Sequence, residues 1–187
     1  MISLKEIKED DLYLLGKWRV NNKFLNRCSS EIIVNLEEEK RWFNKIMNDE
    51  LCKYWIIDIH NIKVGMININ NIDMEKKECF LEYNIEDIHF KERDIIFNII
   101  YNVCDYVFYK MNLNKIYCNV HRFDNFNIKL LKKIGNEITT PIIIKDNMVY
   151  YNKNIVNMCI DKEKLETFKD KCFSENIYLY NKIMKID

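Results

Sequence analysis

Between Lys53 and Ile85 the helical period gives way to short apolar stretches such as "YWII" and "MININ", and from Lys91 to Met111 apolar residues recur every three or four positions. A period of two belongs to strands and a period near 3.6 to helices, so a sheet segment runs directly into a long helix. "KYWIIDI" and "KVGMINI" flank "HN" as a hairpin, and "ECFLEYNI" follows the charged turn "DMEKK". In the helical stretch Ile95, Ile96, Ile99, Ile100, Val103, Val107, Phe108 and Met111 form one broad stripe.

The flanking elements follow from the same periods. Asp10 or Asp11 caps a first helix, "DLYLLGKWRV", with Leu12, Leu15 and Trp18 at helical spacing. "NLEEEKRWFNKIM" predicts a second, with Leu36, Trp42, Phe43, Ile46 and Met47 toward one side. "NKIYCNV" reads as a strand, "NFNIKLLKKI" as a helix ended by Gly135, and "IIIKDNMVYYNKNIVNMCI" as a hairpin around Asp146 and Asn147. Beyond these, "KEKLETFKDKCF" predicts an added helix and "NIYLYNKIMKI" an apolar tail. The pattern predicts an α+β domain over 1–160. Residues 161–187 are expected to extend it by covering a sheet edge or an oligomer interface.

Charge and cysteine usage narrow the partners. Lys+Arg and Asp+Glu stand at 29 each, so no net field draws the chain to nucleic acid or to an anionic membrane surface. No apolar run reaches the roughly 18 residues of a membrane span, and "MISLKEIKEDD" lacks a signal-peptide core. Seven cysteines without a CxxC pair suit reduced thiols in a cytoplasmic protein, with no metal site expected. There are 3 glycines, where average usage gives about 13. That scarcity bears directly on any site that binds phosphate through bare backbone.

The order of elements and several local stretches resemble the GNAT acyltransferase superfamily. The matching pieces are "WRVNN", "LEEEKRWF", "YWIIDIHNIKVGMININNID", "YNIED", "DYVFYKMNLNKIYCNV" and "IKLLKKIG", which run from about residue 4 to 150. In pattern they are most similar to the amino-sugar N-acetyltransferases of nucleotide-sugar pathways, and next to the N-terminal acetyltransferases of ribosomal proteins. The resemblance implies a central, mostly antiparallel mixed sheet in which strands 79–85 and 115–120 lie adjacent and parallel. Helices 91–111 and 125–134 would pack on it. It also implies acetyl-CoA as co-substrate and a small-molecule amine as acceptor, with a homodimer as a further expectation.

In that family the pantetheine arm of CoA pairs with the splayed fourth strand, and a glycine-rich turn presents helix N-terminal amides to the pyrophosphate. Here the three glycine positions fall on Glu92, Asp94 and Ile96. Two readings stand side by side: a distorted CoA turn with Lys91 and Arg93 as compensating cations, or acids that merely complement a helix dipole. The implied cofactor-binding set is Tyr83, Asn84, Ile85, Lys91, Arg93, Ile95, Ile96 and Asn125, the last replacing an asparagine whose own position is Asp124. The family's thiolate-protonating tyrosine aligns with Leu131.

Acetyl transfer needs a group that takes the amine's proton and a donor that polarises the thioester carbonyl. Backbone N–H groups near Tyr83 and Asn84 are the candidate donors. Glu82 is the candidate base, the alternative being a solvent-facing strand residue. His121 follows the fifth strand and is the second candidate, the alternative being a structural or solvated loop histidine. On the acceptor side the resemblance points to Trp18, Arg19 and Asn22. Three functions follow for comparison: an N-acetyltransferase acting on an amine, including that of a nucleotide-linked amino sugar; a GNAT-fold binding or structural protein without CoA chemistry; and a protein N-terminal acetyltransferase.

Overall fold

A mixed sheet of eight strands carries the fold in this computed structural model, which describes residues 2–24, 35–138, 143–144, 148–149, 154–174 and 185–186. In chain order come β1 (Ile2–Glu6), α1 (Leu12–Phe24), α2 (Leu36–Met47), β2 (Lys53–Ile59), β3 (Ile62–Asp73) and β4 (Glu78–Ile85). Then follow α3 (Arg93–Asp105), β5 (Lys115–His121), α4 (Asn125–Leu131), β6 (Asn136–Ile138), β7 (Ile143–Ile144) and β8 (Met148–Val149). The chain continues through β9 (Ile155–Asp161), α5 (Lys162–Ser174) and β10 (Lys185–Ile186). The strand order is β10-β1-β2-β3-β4-β5-β9-β6, with β7 and β8 paired apart from it. Only β10–β1 and β4–β5 run parallel among the described strands.

The sheet is covered on both faces. On one, Ile67, Ile69, Leu81 and Ile85 pack with Ile96, Ile99, Ile100 and Val103 of α3 and with Leu130 and Leu131 of α4. On the other, Ile7 and Ile56 meet Leu15 and Trp18 of α1, and Trp42, Phe43 and Ile46 of α2 lean on them. Alternation along the middle of β3 and along β4 sends Ile67, Ile69, Leu81, Tyr83 and Ile85 to the α3 face and Met66, Asn68, Glu82 and Asn84 to the other. Irregularities in pairing near the ends of β3 return Val64 and Ile72 to the α3-face core.

Local chemistry explains the connections. The β2–β3 hairpin turns through His60 and Asn61, both at positive φ (53° and 65°), the geometry of a type I′ turn. Asn61 N–H donates to the Asp58 carboxylate at 3.0 Å and so holds that turn without glycine. The Asp58 carboxylate is buried and also accepts from Lys5 Nζ at 2.8 Å. Asp11 is likewise buried; it receives Lys8 N–H at 2.9 Å and pairs with Lys63 of β3, which anchors the start of α1 to the sheet.

Several expectations need correction. β1 was not anticipated, because "ISLKE" buries only Leu4 fully and reads as a charged lead-in. Leu36 and Met47 are exposed, at 47% and 56%, since they sit at the two ends of α2 beyond its contact with β2. The helix expected at 91–111 spans 93–110, its last turn π-helical, with Met111 N–H reaching Tyr106 O at 3.2 Å. The helix expected at 125–134 ends at Leu131. Gly135 does not stop it with a left-handed residue; it lets the chain pass β9, where a Cβ would stand 2.8 Å from Cys159 O.

Candidate active site

β4 and β5 part company halfway. Their parallel register pairs Glu78 with Lys115, Cys79 with Ile116 and Phe80 with Tyr117, and no pairing follows. The Phe80 and Tyr117 rings, 5.4 Å apart, mark the fork. Beyond it β4 stays bound to β3 through Ile85, while β5 stays bound to β9 through His121. A gap therefore opens between two strands that are each held from the outside.

The gap exposes specific backbone. Glu86 N–H bonds to Val64 O at 2.9 Å, and alternation in an antiparallel ladder sends the amides of Asn84 and Glu82 the same way, toward β3. The N–H and C=O groups of Tyr83 and Ile85 consequently face the gap. Of the two donors expected from sequence, Tyr83 keeps that place and Asn84 gives it up to Ile85. Gly65 permits this arrangement: a Cβ there would stand 2.2 Å from Asn84 O and 2.9 Å from Ile85 Cα.

Side chains divide between the two faces. On the α1 face Glu82 is exposed, with Asn68 Nδ2 3.5 Å from its Oε2, and Asn84 donates to the Glu86 carboxylate. Continuing the register across the parted strands sets Asn84 level with His121 on this face. His121 is exposed, its Nδ1 accepting from Phe123 N–H at 3.4 Å and its ring 5.5 Å from that of Phe123. Glu82 and His121 thus stand on opposite lips of one opening.

On the α3 face the Tyr83 hydroxyl donates to Asn127 Oδ1 of α4. Asn127 Nδ2 donates to Asp124 Oδ2 at 2.6 Å, and Asp124 Oδ1 caps α4 by accepting Asn127 N–H at 3.0 Å. Burial, with the neighbouring Cys118 and Asp124, holds the Tyr83 phenol well above the ordinary tyrosine range, so it stays protonated. Leu131 is 1% exposed and packs in the core. Asn125 is exposed at the first position of α4.

The turn after β4 is built from side chains and backbone rather than glycine. Asp87 accepts His89 N–H at 3.0 Å, and Phe90 N–H reaches Asp87 O at 3.1 Å. Glu92 is the N-cap residue of α3 but makes no side-chain cap; the first helical bond joins Ile96 N–H to Glu92 O at 3.1 Å. That leaves the amides of Arg93, Asp94 and Ile95 at the open end of the helix, where an anion is favoured. Lys91, Glu92 and Asp94 are exposed around it, and the Arg93 side chain lies outside the described residues. Ile95 is half-buried, and Ile96 is 5% exposed in the core. The residues therefore fit a pantetheine arm along β4, while the pyrophosphate end carries two carboxylates in place of bare backbone.

The acceptor-side residues all lie on α1. Trp18 is 8% exposed and packs on Ile7, Leu15 and Ile56. The side chains of Arg19 and Asn22 lie outside the described residues. Clefts of about 670 and 220 Å³ flank the end of α2, but neither is lined by β4 or β5. Tyr83 with Asn127 was the feature sequence reasoning missed as a pair, since 44 positions separate them. No group of three or more candidate metal ligands occurs among the described residues.

Comparisons with known proteins add the family. The chain superposes on a chimera of Vibrio cholerae spermidine N-acetyltransferase SpeG and hSSAT, with a TM-score of 0.70 at 17% identity, covering 88% of this chain and 98% of that one. The V. cholerae spermidine N-acetyltransferase in complex with CoA and spermine gives 0.70 at 16% identity, over 88% and 98%. The dodecameric form of that enzyme in an intermediate state gives 0.67 at 18% identity, over 87% and 95%. At these identities the likeness speaks for the fold. No curated protein matches the sequence. A family model described as an acetyltransferase (GNAT) domain matches residues 2–137, most of the chain, and the protein therefore belongs to the GNAT acetyltransferase family.

Proposed function

We propose that the protein transfers an acetyl group from acetyl-CoA to a primary amine at the opening between β4 and β5. The observation that carries this reading is the parting of the two strands after Phe80 and Tyr117, which turns the amides of Tyr83 and Ile85 toward the gap. In the reaction the neutral amine nitrogen attacks the thioester carbonyl carbon, the C–S bond breaks, the amine loses a proton and the thiolate gains one. An amide facing the gap stabilises the oxyanion as it forms. Glu82, exposed on the α1 face, receives the amine's proton directly or through water. His121 on the facing lip is the second candidate for that role.

The acceptor-side lip carries Glu82 and Glu86, which favours a cationic acceptor such as an aliphatic polyamine. The V. cholerae enzymes named above are spermidine N-acetyltransferases, which adds support to this choice. A nucleotide-linked amino sugar is the finer alternative, and its phosphates would need cations from the side of Arg19. A second reading has its own observation. Glu92 and Asp94 surround the α3 N-terminus, which favours a GNAT-fold protein that does not bind CoA.

Calorimetric titration with acetyl-CoA, followed by a transfer assay with spermidine and with an amino-sugar nucleotide, separates these outcomes. A micromolar site should stabilise the protein by about 2.7 kcal/mol at a hundredfold excess of ligand over Kd. Absence of heat and of any thermal shift at millimolar acetyl-CoA would sink the enzyme reading. Glu82→Gln should lower kcat far more than it raises KM if the carboxylate takes the proton.

A further inference from the structure

A side-chain bond bridges the gap between β4 and β5 on the α3 face. Tyr83 lies past the last paired residues of the fork, and its side chain leaves β4 on the face packed by α3 and α4. Its hydroxyl ends on Asn127, in the helix that follows β5. A side-chain bond thus joins the two halves of the sheet where their backbone ladder has stopped. Asn127 does not reach Tyr83 by chance of rotamer alone, because Asp124 holds both its Nδ2 (2.6 Å) and its backbone N–H (3.0 Å). The bond therefore spans the gap, from Tyr83 on β4 to the helix that follows β5. A pantetheine arm that pairs with the backbone of Tyr83 and Ile85 runs through this same space.

We propose that Tyr83 and Asn127 decide what the cleft admits: their bond straps β4 to α4, and a pantetheine arm enters only where that bond has opened. The inference rests on the cleft being the acetyl-CoA site. The strap itself is a property of the chain without ligand. Opening it forfeits one neutral side-chain hydrogen bond, a net loss equivalent to about a fivefold change in affinity. With the strap open, the backbone of the two parted strands stays paired to β3 and to β9, and their apolar side chains stay packed on α3 and α4. Tyr83 and Asn127 are therefore positioning residues whose removal favours the ligand and loosens the free protein.

Two measurements on the full chain test this. Amide hydrogen exchange without ligand reads the strap, and calorimetry with CoA reads admission. Tyr83→Phe removes only the hydroxyl; Asn127→Ala removes its partner from the other side. Both should speed exchange over 81–87 and 121–131, and both should tighten CoA binding about fivefold. Adding Tyr83→Phe to Asn127→Ala should change either readout little further, because Asn127→Ala has already broken the contact that Tyr83→Phe removes. Unchanged exchange in both variants overturns the strap. Faster exchange with unaltered or weaker CoA affinity leaves the acetyl-CoA reading standing and overturns the admission role. Faster exchange with no CoA binding by any of the proteins overturns the acetyl-CoA reading and this inference together.

Discussion

Of the three residues that stand where the family's turn carries glycine, Ile96 is the one that packs. It lies four positions into the helical bond pattern of α3 and is 5% exposed, whereas Glu92 and Asp94 are exposed. Glycine at 92 and 94 would change charge and bulk at the helix end. Glycine at 96 would empty part of the core and loosen a helix interior, costing about 3 kcal/mol or more. Chemical denaturation of Ile96→Gly should show that loss, while Asp94→Asn should leave the midpoint near the native one. In the same pair of variants, Asp94→Asn should tighten CoA binding at low salt, with the gain shrinking as salt screens the carboxylate. An affinity for CoA that ignores Asp94→Asn at every ionic strength would mean that the pyrophosphate does not meet this residue. The burial of Ile96 was legible in the sequence, since it sits in the stripe of Ile95, Ile99 and Ile100 that reads as helix. The strap at Tyr83 was not, because nothing local couples a strand tyrosine to an asparagine in another element.

Elements were legible where one face was wholly buried and opaque where burial was partial. The apolar stretches of β2, β3 and β4 and the stripe of α3 are legible because each packs against a continuous apolar surface. β1 escapes the same reasoning because its place is set by pairing with β2, from Ile2 opposite Ile59 to Glu6 opposite Trp55, rather than by its own pattern. The gap itself is a property of two strands and their outer neighbours, so the sequence reaches it only through resemblance. α5 lies past the segment matched to the family, yet Leu165 is 1% exposed in the main core and the Phe168 ring sits 5.3 Å from that of Phe97. Lys164 Nζ also reaches Gly135 O at 2.6 Å. An element tethered this way should unfold with the domain. Leu165→Ala should cost about 2–5 kcal/mol in a single cooperative transition. A change below about 0.5 kcal/mol, the range of an ordinary surface substitution, would show that α5 is an appendage.

At the scale of the whole molecule, the sheet gathers its buried thiols where β4, α3 and β5 meet. Cys79, Cys104 and Cys118 are each buried and free. Burial pushes the Cys79 thiol up to about 12, and it drives Cys104 and Cys118 upward as well, with the neighbouring thiols adding to the effect. Tyr117 at the fork is pushed up to about 12 by burial and by the Glu78 carboxylate. In the unfolded chain these groups ionise from their ordinary values of 9.0 for cysteine and 10.0 for tyrosine. Above pH 9 the unfolded chain therefore binds fewer protons than the folded one, and unfolding becomes more favourable as pH rises. Each such thiol lowers stability by about 1.4 kcal/mol per pH unit in the window between its two values. Melting temperatures measured from pH 7 to 11 should accordingly hold level at first and then fall steeply from about pH 9. Cys104→Ala should lower the neutral-pH plateau, because it leaves a small cavity, yet flatten the alkaline descent by removing one titrating group. A descent of the same slope in Cys104→Ala would place the alkaline sensitivity elsewhere. A native profile flat to pH 11 would mean that these thiols reach solvent in the folded protein, which the tight meeting of β4, α3 and β5 below the fork does not allow.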